Sequence, residues 1–347
     1  MNSRLTRRQV TAWCFGASSV PAVMTCAGLP WQWVLAGCGG TAVFLWLIGA
    51  ALRQTACGTG LCGVTCEAFG GAGGKAVLLL GAAWTVFAAA DTAAACARAF
   101  PDEGLGVLAP LVLTALAGAA GAKGKLCAAR CAAILAPLLA GLYALIVLCA
   151  VPDVRPVWCG TWGSWRDCAD AAAPMLLSVA GFYLYNSSSD KNSGAEEESG
   201  GRLAFGALAV LALAPALLAV ITAGCLSPQL VQEEVFAFYA LTKNMRLFSV
   251  IERFEPVLSA SLVAGYFCIL TLLVQAGAAQ LSAAVPVWDE KRVAPALCAA
   301  AFGASFVAAR VPPLVRQSGA AVFWGLIPAL ALLIVGIKKY EKSEKSS

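Results

Sequence analysis

Residues 255–282 read EPVLSASLVAGYFCILTLLVQAGAAQLS, and no charged side chain occurs between Pro256 and Trp288. A membrane-crossing helix needs about 20 consecutive, mostly apolar residues. This stretch exceeds that length and is read as a long membrane span. Working outward on the same criterion gives ten expected spans: 10–28, 32–52, 75–99, 104–121, 127–151, 171–186, 203–224, 255–282, 293–310 and 318–338. The sixth is short and the eighth long.

Composition points the same way. The 347 residues are 60% hydrophobic and 12% charged, with mean hydropathy +0.78. Soluble domains carry about 25% charged residues, so this chain has too little polar surface to coat two or three of them. The reading is an all-α polytopic membrane protein. There is no histidine, which removes Ser-His-Asp triads, Cys-His nucleophile pairs and HExxH zinc sites. No nucleophile, base or metal constellation replaces them, so no enzyme is expected. No cofactor is expected either, and no basic–aromatic surface suggests a nucleic acid.

The net charge of +5 is modest, and its placement matters more. With the N-terminus inside, the inner segments hold Arg4, Arg7, Arg8, Arg53, Lys75, Lys123, Lys125, Arg130, Lys191, Arg202, Lys291, Arg292, Lys338, Lys339, Lys342 and Lys345, the majority of the 24 Lys and Arg. The positive-inside bias therefore expects both termini on the cytoplasmic side. Residues 1–28 imitate a signal peptide, but Gly16-Ala17-Ser18-Ser19 and Pro21 interrupt the apolar run, so the segment is kept as the first helix. Residues 187–201 form a polar, flexible linker. The interval 227–254 is amphipathic and is expected to cover the extracytoplasmic face, and Trp158, Trp162 and Trp165 are expected in an interfacial aromatic belt.

Fifteen cysteines lie mostly in apolar runs and read as small packing residues. Cys57, Cys62 and Cys66 with Glu67 match no trusted zinc spacing. Cys159 and Cys168 flank an outer loop where a disulfide is chemically compatible, with pairing left open.

Ten spans divide into halves, 10–151 and 171–338. An odd number of spans per half sets the halves in opposite orientations. The first span of each half contains small or helix-breaking residues: Gly16, Ala17, Ser18 and Ser19 before Pro21, and Ser178, Gly181, Phe182 and Tyr183 in the sixth. Paired discontinuous helices at corresponding places point to a transporter-type ligand site, because unwinding frees backbone polar groups at mid-membrane. The alternative is ordinary small-residue helix packing. Asp91 is the acid deepest in a span and costs roughly 2.5–3.5 kcal/mol on insertion scales. Three readings stand for it: countercharge to a ligand ammonium or coupling cation, partner of Arg98 seven residues on, or protonated filler. Freed backbone N–H groups with Asp91 would suit a zwitterion. Glu252, Arg253 and Glu255 form a charged knot at the eighth span's entry, read as an interfacial network, with a gate or subunit-docking surface as the alternative.

The run Tyr239–Glu255 (YALTKNMRLFSVIERFE), with Ile251-Glu252-Arg253-Phe254-Glu255 at its core, resembles the signature of the spore germination receptor B-subunit family. The opening LTRRQV (5–10) is similar to that family's basic start, and the family's acid after Gly-Phe is replaced here by Tyr183. The resemblance implies the amino acid–polyamine–organocation transporter fold, a LeuT-type inverted 5+5 repeat with interrupted first and sixth helices. It implies a germinant receptor in the spore inner membrane, with A- and C-type partner subunits and a small germinant such as an amino acid. A secondary transporter, with a coupling cation such as Na⁺ or H⁺, is the alternative. A structural membrane subunit without ligand is the third.

Overall fold

A computed structural model describes residues 5–55, 60–99, 107–160, 163–184, 200–234, 236–244 and 255–344. Among them every regular element is helical. In chain order these are α1 (Arg7–Met24), α2 (Trp31–Thr55), α3 (Gly60–Phe69), α4 (Gly71–Ala99), α5 (Leu108–Ala122), α6 (Lys125–Ala150), α7 (Arg166–Met175) and α8 (Ala180–Leu184). There follow α9 (Gly200–Leu226), α10 (Pro228–Glu233), α11 (Ala237–Asn244), α12 (Glu255–Ala284), α13 (Glu290–Ala308), α14 (Pro313–Ala320) and α15 (Ile327–Glu344). Short 3₁₀ segments occupy Cys26–Gly28, Val151–Asp153, Pro156–Cys159 and Leu176–Val179, and a π-helical segment, Ala321–Leu326, joins α14 to α15.

Seven stretches are long and apolar enough to cross a membrane: Arg8–Gly28, Trp31–Leu52, Gly71–Ala99, Lys125–Asp153, Glu255–Ala284, Glu290–Ala308 and Pro313–Lys342. The chain is therefore a helical, integral membrane protein. The other three expected spans lie in α5, in α9 and in the α7–α8 segment. The fourth is the 15-residue α5, the seventh is apolar over Ala212–Leu226, and the sixth is divided among α7, a 3₁₀ turn and α8.

α12 is the axis of the bundle. It packs against α4, α1, α5, α13, α6 and α8, and its side chains are buried from Leu258 through Ala284 on most positions. The uniform apolarity of 255–282 has this cause: a helix surrounded on all sides has no polar face to keep. Outside it, large apolar side chains point away from protein, among them Leu80 at 59%, Ile134 at 72% and Leu148 at 69% exposure. Such a surface is stable against lipid tails rather than water.

The turns follow their residue chemistry. Gly70 (φ 78°) joins α3 to α4 and Gly124 (φ 94°) joins α5 to α6, both in the left-handed region open to glycine. The opening LTRRQV is a capping box: the Gln9 amide N–H donates to Thr6 Oγ1 at 3.4 Å and the Thr6 N–H to Gln9 Oε1 at 3.0 Å. Two orphan donors at the start of α1 are thus satisfied. At the other end of the chain, Lys338 Nζ donates to the carbonyls of Glu67 (3.0 Å) and Ala68 (3.2 Å), and Lys339 Nζ to that of Thr55. Lysines on the last carbonyls of α2 and α3 complement both helix dipoles and tie α15 to the first half of the chain. The interval after 226 forms two short helices, α10 and α11, packed on α9, with Val231 and Phe238 buried.

One expectation is corrected. The first span is not interrupted at Gly16–Pro21; α1 runs unbroken to Met24 with Pro21 inside it. The serines explain this. Ser18 Oγ donates to the Cys14 carbonyl (2.8 Å) and Ser19 Oγ to that of Gly16 (2.7 Å), so both hydroxyls bond back onto their own helix rather than open it. Pro21 removes the N–H that would have met the Ala17 carbonyl and crowds that carbonyl with its ring, yet α1 continues past it to Met24.

Candidate functional site

The small-residue segments of the two halves meet. Ser18 on α1 and Ser178 in the 3₁₀ turn Leu176–Val179 place their hydroxyl oxygens 2.9 Å apart, and both residues are buried. Since the Ser18 proton is directed to the Cys14 carbonyl, the Ser178 hydroxyl is the donor and Ser18 Oγ the acceptor. The Cys14 thiol approaches the Ser178 carbonyl at 3.8 Å. Gly181 permits this closeness: a Cβ there would sit 2.6 Å from Cys14 Sγ. Gly16 plays the same part on the opposite face of α1, where an added Cβ would lie 3.0 Å from Cys268 Sγ of α12, and Ala17 is fully buried between.

A seam of neutral polar groups runs past this contact along α12, from Ser261 to Gln280, about 28 Å at ~1.5 Å per residue. Trp13 Nε1 donates to the Cys268 carbonyl and to Thr271 Oγ1, both at 3.1 Å. The Tyr143 phenol of α6 faces the hydroxyls of Ser19 and Ser261 but has no hydrogen bond of ordinary geometry. Tyr183 is directed to the Gln280 amide, and Thr85 Oγ1 lies 3.5 Å from Gln280 Oε1. Gln280, Thr271 and Ser261 are all buried on α12, so the axial helix supplies most of the seam. Sequence reading missed this contribution; the signal was present as Ser261, Thr271, Gln275 and Gln280 in an otherwise apolar run.

Two expected members stand elsewhere. Phe182 turns toward α2, where its ring lies 3.5 Å from a Cβ built on Gly49. Asp91 is paired with Arg316 rather than with Arg98: Arg316 NH1 of α14 donates to Asp91 Oδ1 at 2.9 Å, each side chain about a quarter exposed (27% and 26%). Arg98 and Tyr266 are its further electrostatic neighbours. The next residue on α14, Gln317, donates its amide to Asp170 of α7. α14 is therefore fastened to α4 and α7 by consecutive side chains. Asp170 lies one residue outside the expected sixth span and inside α7, three residues after Asp167.

Below Asp91 on α4, Trp84 stacks on Phe323 (centroids 5.4 Å, 13° between planes) and meets Trp324 edge-on at 6.0 Å. Gly319 faces the Trp84 indole, with no space for a Cβ. The π-helical segment Ala321–Leu326 thus places two aromatic residues against one indole. Single π turns occur often at functional sites.

Of the charged knot, Glu252 and Arg253 lie outside the described residues, as does Trp162; Glu255 opens α12. Trp158 stacks under the Arg155 guanidinium at 4.6 Å, and Trp165 is 69% exposed. Cys159 and Cys168 are free thiols. Cys159 faces α9 instead, 3.1 Å from a Cβ built on Gly224 and 3.9 Å from the Val220 carbonyl. Among the described residues no group of three or more His, Cys, Asp or Glu is placed to hold a metal.

A direct consequence concerns the crossing of α1 and α8. Gly181→Val should cost about 1–3 kcal/mol through overpacking against Cys14, read as a lower unfolding midpoint in detergent. Combining it with Cys14→Ala should recover part of that loss, since the atom in the way is then gone. No protein-family model matches the chain, and no curated protein is detectably similar to it in sequence.

Proposed function

We propose that this protein binds a small polar solute, an amino acid foremost, at the Ser18–Ser178 contact, and that it acts as the transporter-like sensing subunit of a spore germinant receptor. The observation that carries the reading is the 2.9 Å contact between α1 and the 3₁₀ turn of the sixth segment. Hydroxyls that already spend their protons internally still offer lone pairs to a ligand ammonium or hydroxyl, and the non-α backbone at 176–179 offers carbonyls at the same depth. In this reading the chain crosses the membrane ten times as two inverted halves with both termini cytoplasmic. α5 is then a short pass and the α7–α8 unit a broken one. The A- and C-type subunits are its proposed partners, in the spore inner membrane or the cell membrane, as the resemblance at 239–255 suggests.

The paired state of Asp91 changes the ligand chemistry first expected. Its charge is met by Arg316, so the seam at Ser18 is neutral, and a zwitterion there would rest on hydroxyls and backbone alone. A working permease for the same solutes is the second reading, favoured by the same contact between halves, with a coupling cation. The two separate in one pair of measurements. Saturable binding of a labelled amino acid to the solubilised chain, without flux into proteoliposomes, is the expected result. Binding with concentrative flux would assign the permease, and neither would leave the structural-subunit reading. Each of Ser18→Ala and Ser178→Ala should weaken binding about fivefold, the worth of one hydrogen bond near 1 kcal/mol.

A further inference from the structure

Buried polar atoms normally find partners, and an exception calls for a reason. Three buried donors along the seam between α4 and the α14–π segment have none: Arg316 Nε, Trp84 Nε1 and Trp324 Nε1. Trp324 is 5% exposed and the Arg316 side chain 27% exposed, with Nε itself among the buried atoms. All three lack an acceptor, and none lacks a donor. Arg316 uses NH1 on Asp91, which leaves the Nε edge of the guanidinium, the edge that reads planar anionic groups in pairs of N–H bonds.

We infer that Arg316 is the receptor for an anionic oxo group, a carboxylate or phosphate, which binds the unused Nε edge while Asp91 holds NH1. This site is separate from the Ser18–Ser178 contact and stands or falls without it. The local charges allow it. Asp91 and Asp170 stand against Arg316 and Arg98, and the Asp170 carboxyl is engaged by the Gln317 amide. In such a site Asp91 has two effects: it orients the guanidinium, and its own charge weakens the anion's attraction. It competes for the arginine, whereas a countercharge for a ligand ammonium would recruit the ligand.

The opposite signs give the test. The full chain in phosphatidylcholine nanodiscs is titrated with sodium acetate, following bound labelled acetate. Saturable millimolar binding is expected, lost by about tenfold or more in Arg316→Gln. Asp91→Asn should tighten it about three- to tenfold, because a nearby like charge is removed. The double variant Asp91→Asn/Arg316→Gln removes both charges of the pair together and should bind no acetate. Nanodiscs containing phosphatidylglycerol identify the occupant: loss of acetate binding there assigns a lipid headgroup, and retention assigns a soluble anion. Absence of saturable binding in phosphatidylcholine would overturn the proposal. So would unchanged affinity in Arg316→Gln, or weaker binding in Asp91→Asn.

Discussion

Replacing Gly37 by alanine is expected to destabilise the protein by about 3 kcal/mol, and by valine more, at the upper end of what overpacking costs. A Cβ at Gly37 would stand 2.4 Å from the Cys168 carbonyl oxygen, with the Ala171 Cβ and the Ala172 nitrogen each at 3.2 Å. Two of these three obstacles are backbone atoms of α7, so no side-chain rotation relieves the clash. α2 and α7 must separate, and with them the α7–α8 unit that carries Ser178. The same helix provides its own control. Gly40 has nothing within 4 Å of an added Cβ, and alanine is the better helix former by roughly 0.5–1 kcal/mol. Gly40→Ala should therefore leave the unfolding midpoint unchanged or raise it. Equal effects at the two positions would show that α2 and α7 do not approach as described.

The second large effect is expected at the ion pair. Arg316→Leu strands the Asp91 carboxylate in a span. Breaking a fully buried pair costs about 3–5 kcal/mol, and because this one is about a quarter exposed, solvent screening reduces the expectation to about 1–3 kcal/mol. Asp91→Asn in the same chain should restore most of the loss, giving a coupling between the two positions in a double-mutant cycle. Arg98→Gln should change stability by no more than about 0.5 kcal/mol. A larger effect at Arg98 than at Arg316 would return Asp91 to the partner on its own helix.

That last comparison marks where the sequence ceased to be readable. Asp91 was identifiable as an isolated charge deep in a span, but Arg316 lies 225 residues away, and nothing along the chain links them. Arg98 stood out because sequence spacing reports neighbours on one helix and not on two. The helical membrane class was legible because 255–282 is apolar beyond the length of one bilayer crossing. The central, buried place of α12 was not legible, because a long apolar run reads the same whether lipid or protein surrounds it. The unbroken course of α1 was not legible, since Ser18 and Ser19 look like helix breakers in the sequence and act as helix-bonded hydroxyls in the fold. The 3₁₀ turn at 176–179 was closer to reach, because Pro174 precedes it and Ser178 and Gly181 lie in or just after it. What joined the two segments is complementarity of small residues, Gly181 to Cys14 and Gly16 to Cys268. Such pairs are invisible until both helices are placed.

The central claim is that a small solute binds where Ser18 meets Ser178. It is tested most directly by thermal unfolding of the purified chain with a panel of amino acids, alongside the Ser18→Ala/Ser178→Ala double variant. A ligand at about 100 times its Kd adds about 2.7 kcal/mol to the folded state. At least one amino acid should therefore raise the midpoint of the parent chain, and the double variant should lose most of that rise at the same concentration. A panel that moves neither protein, or moves both equally, would contradict the claim.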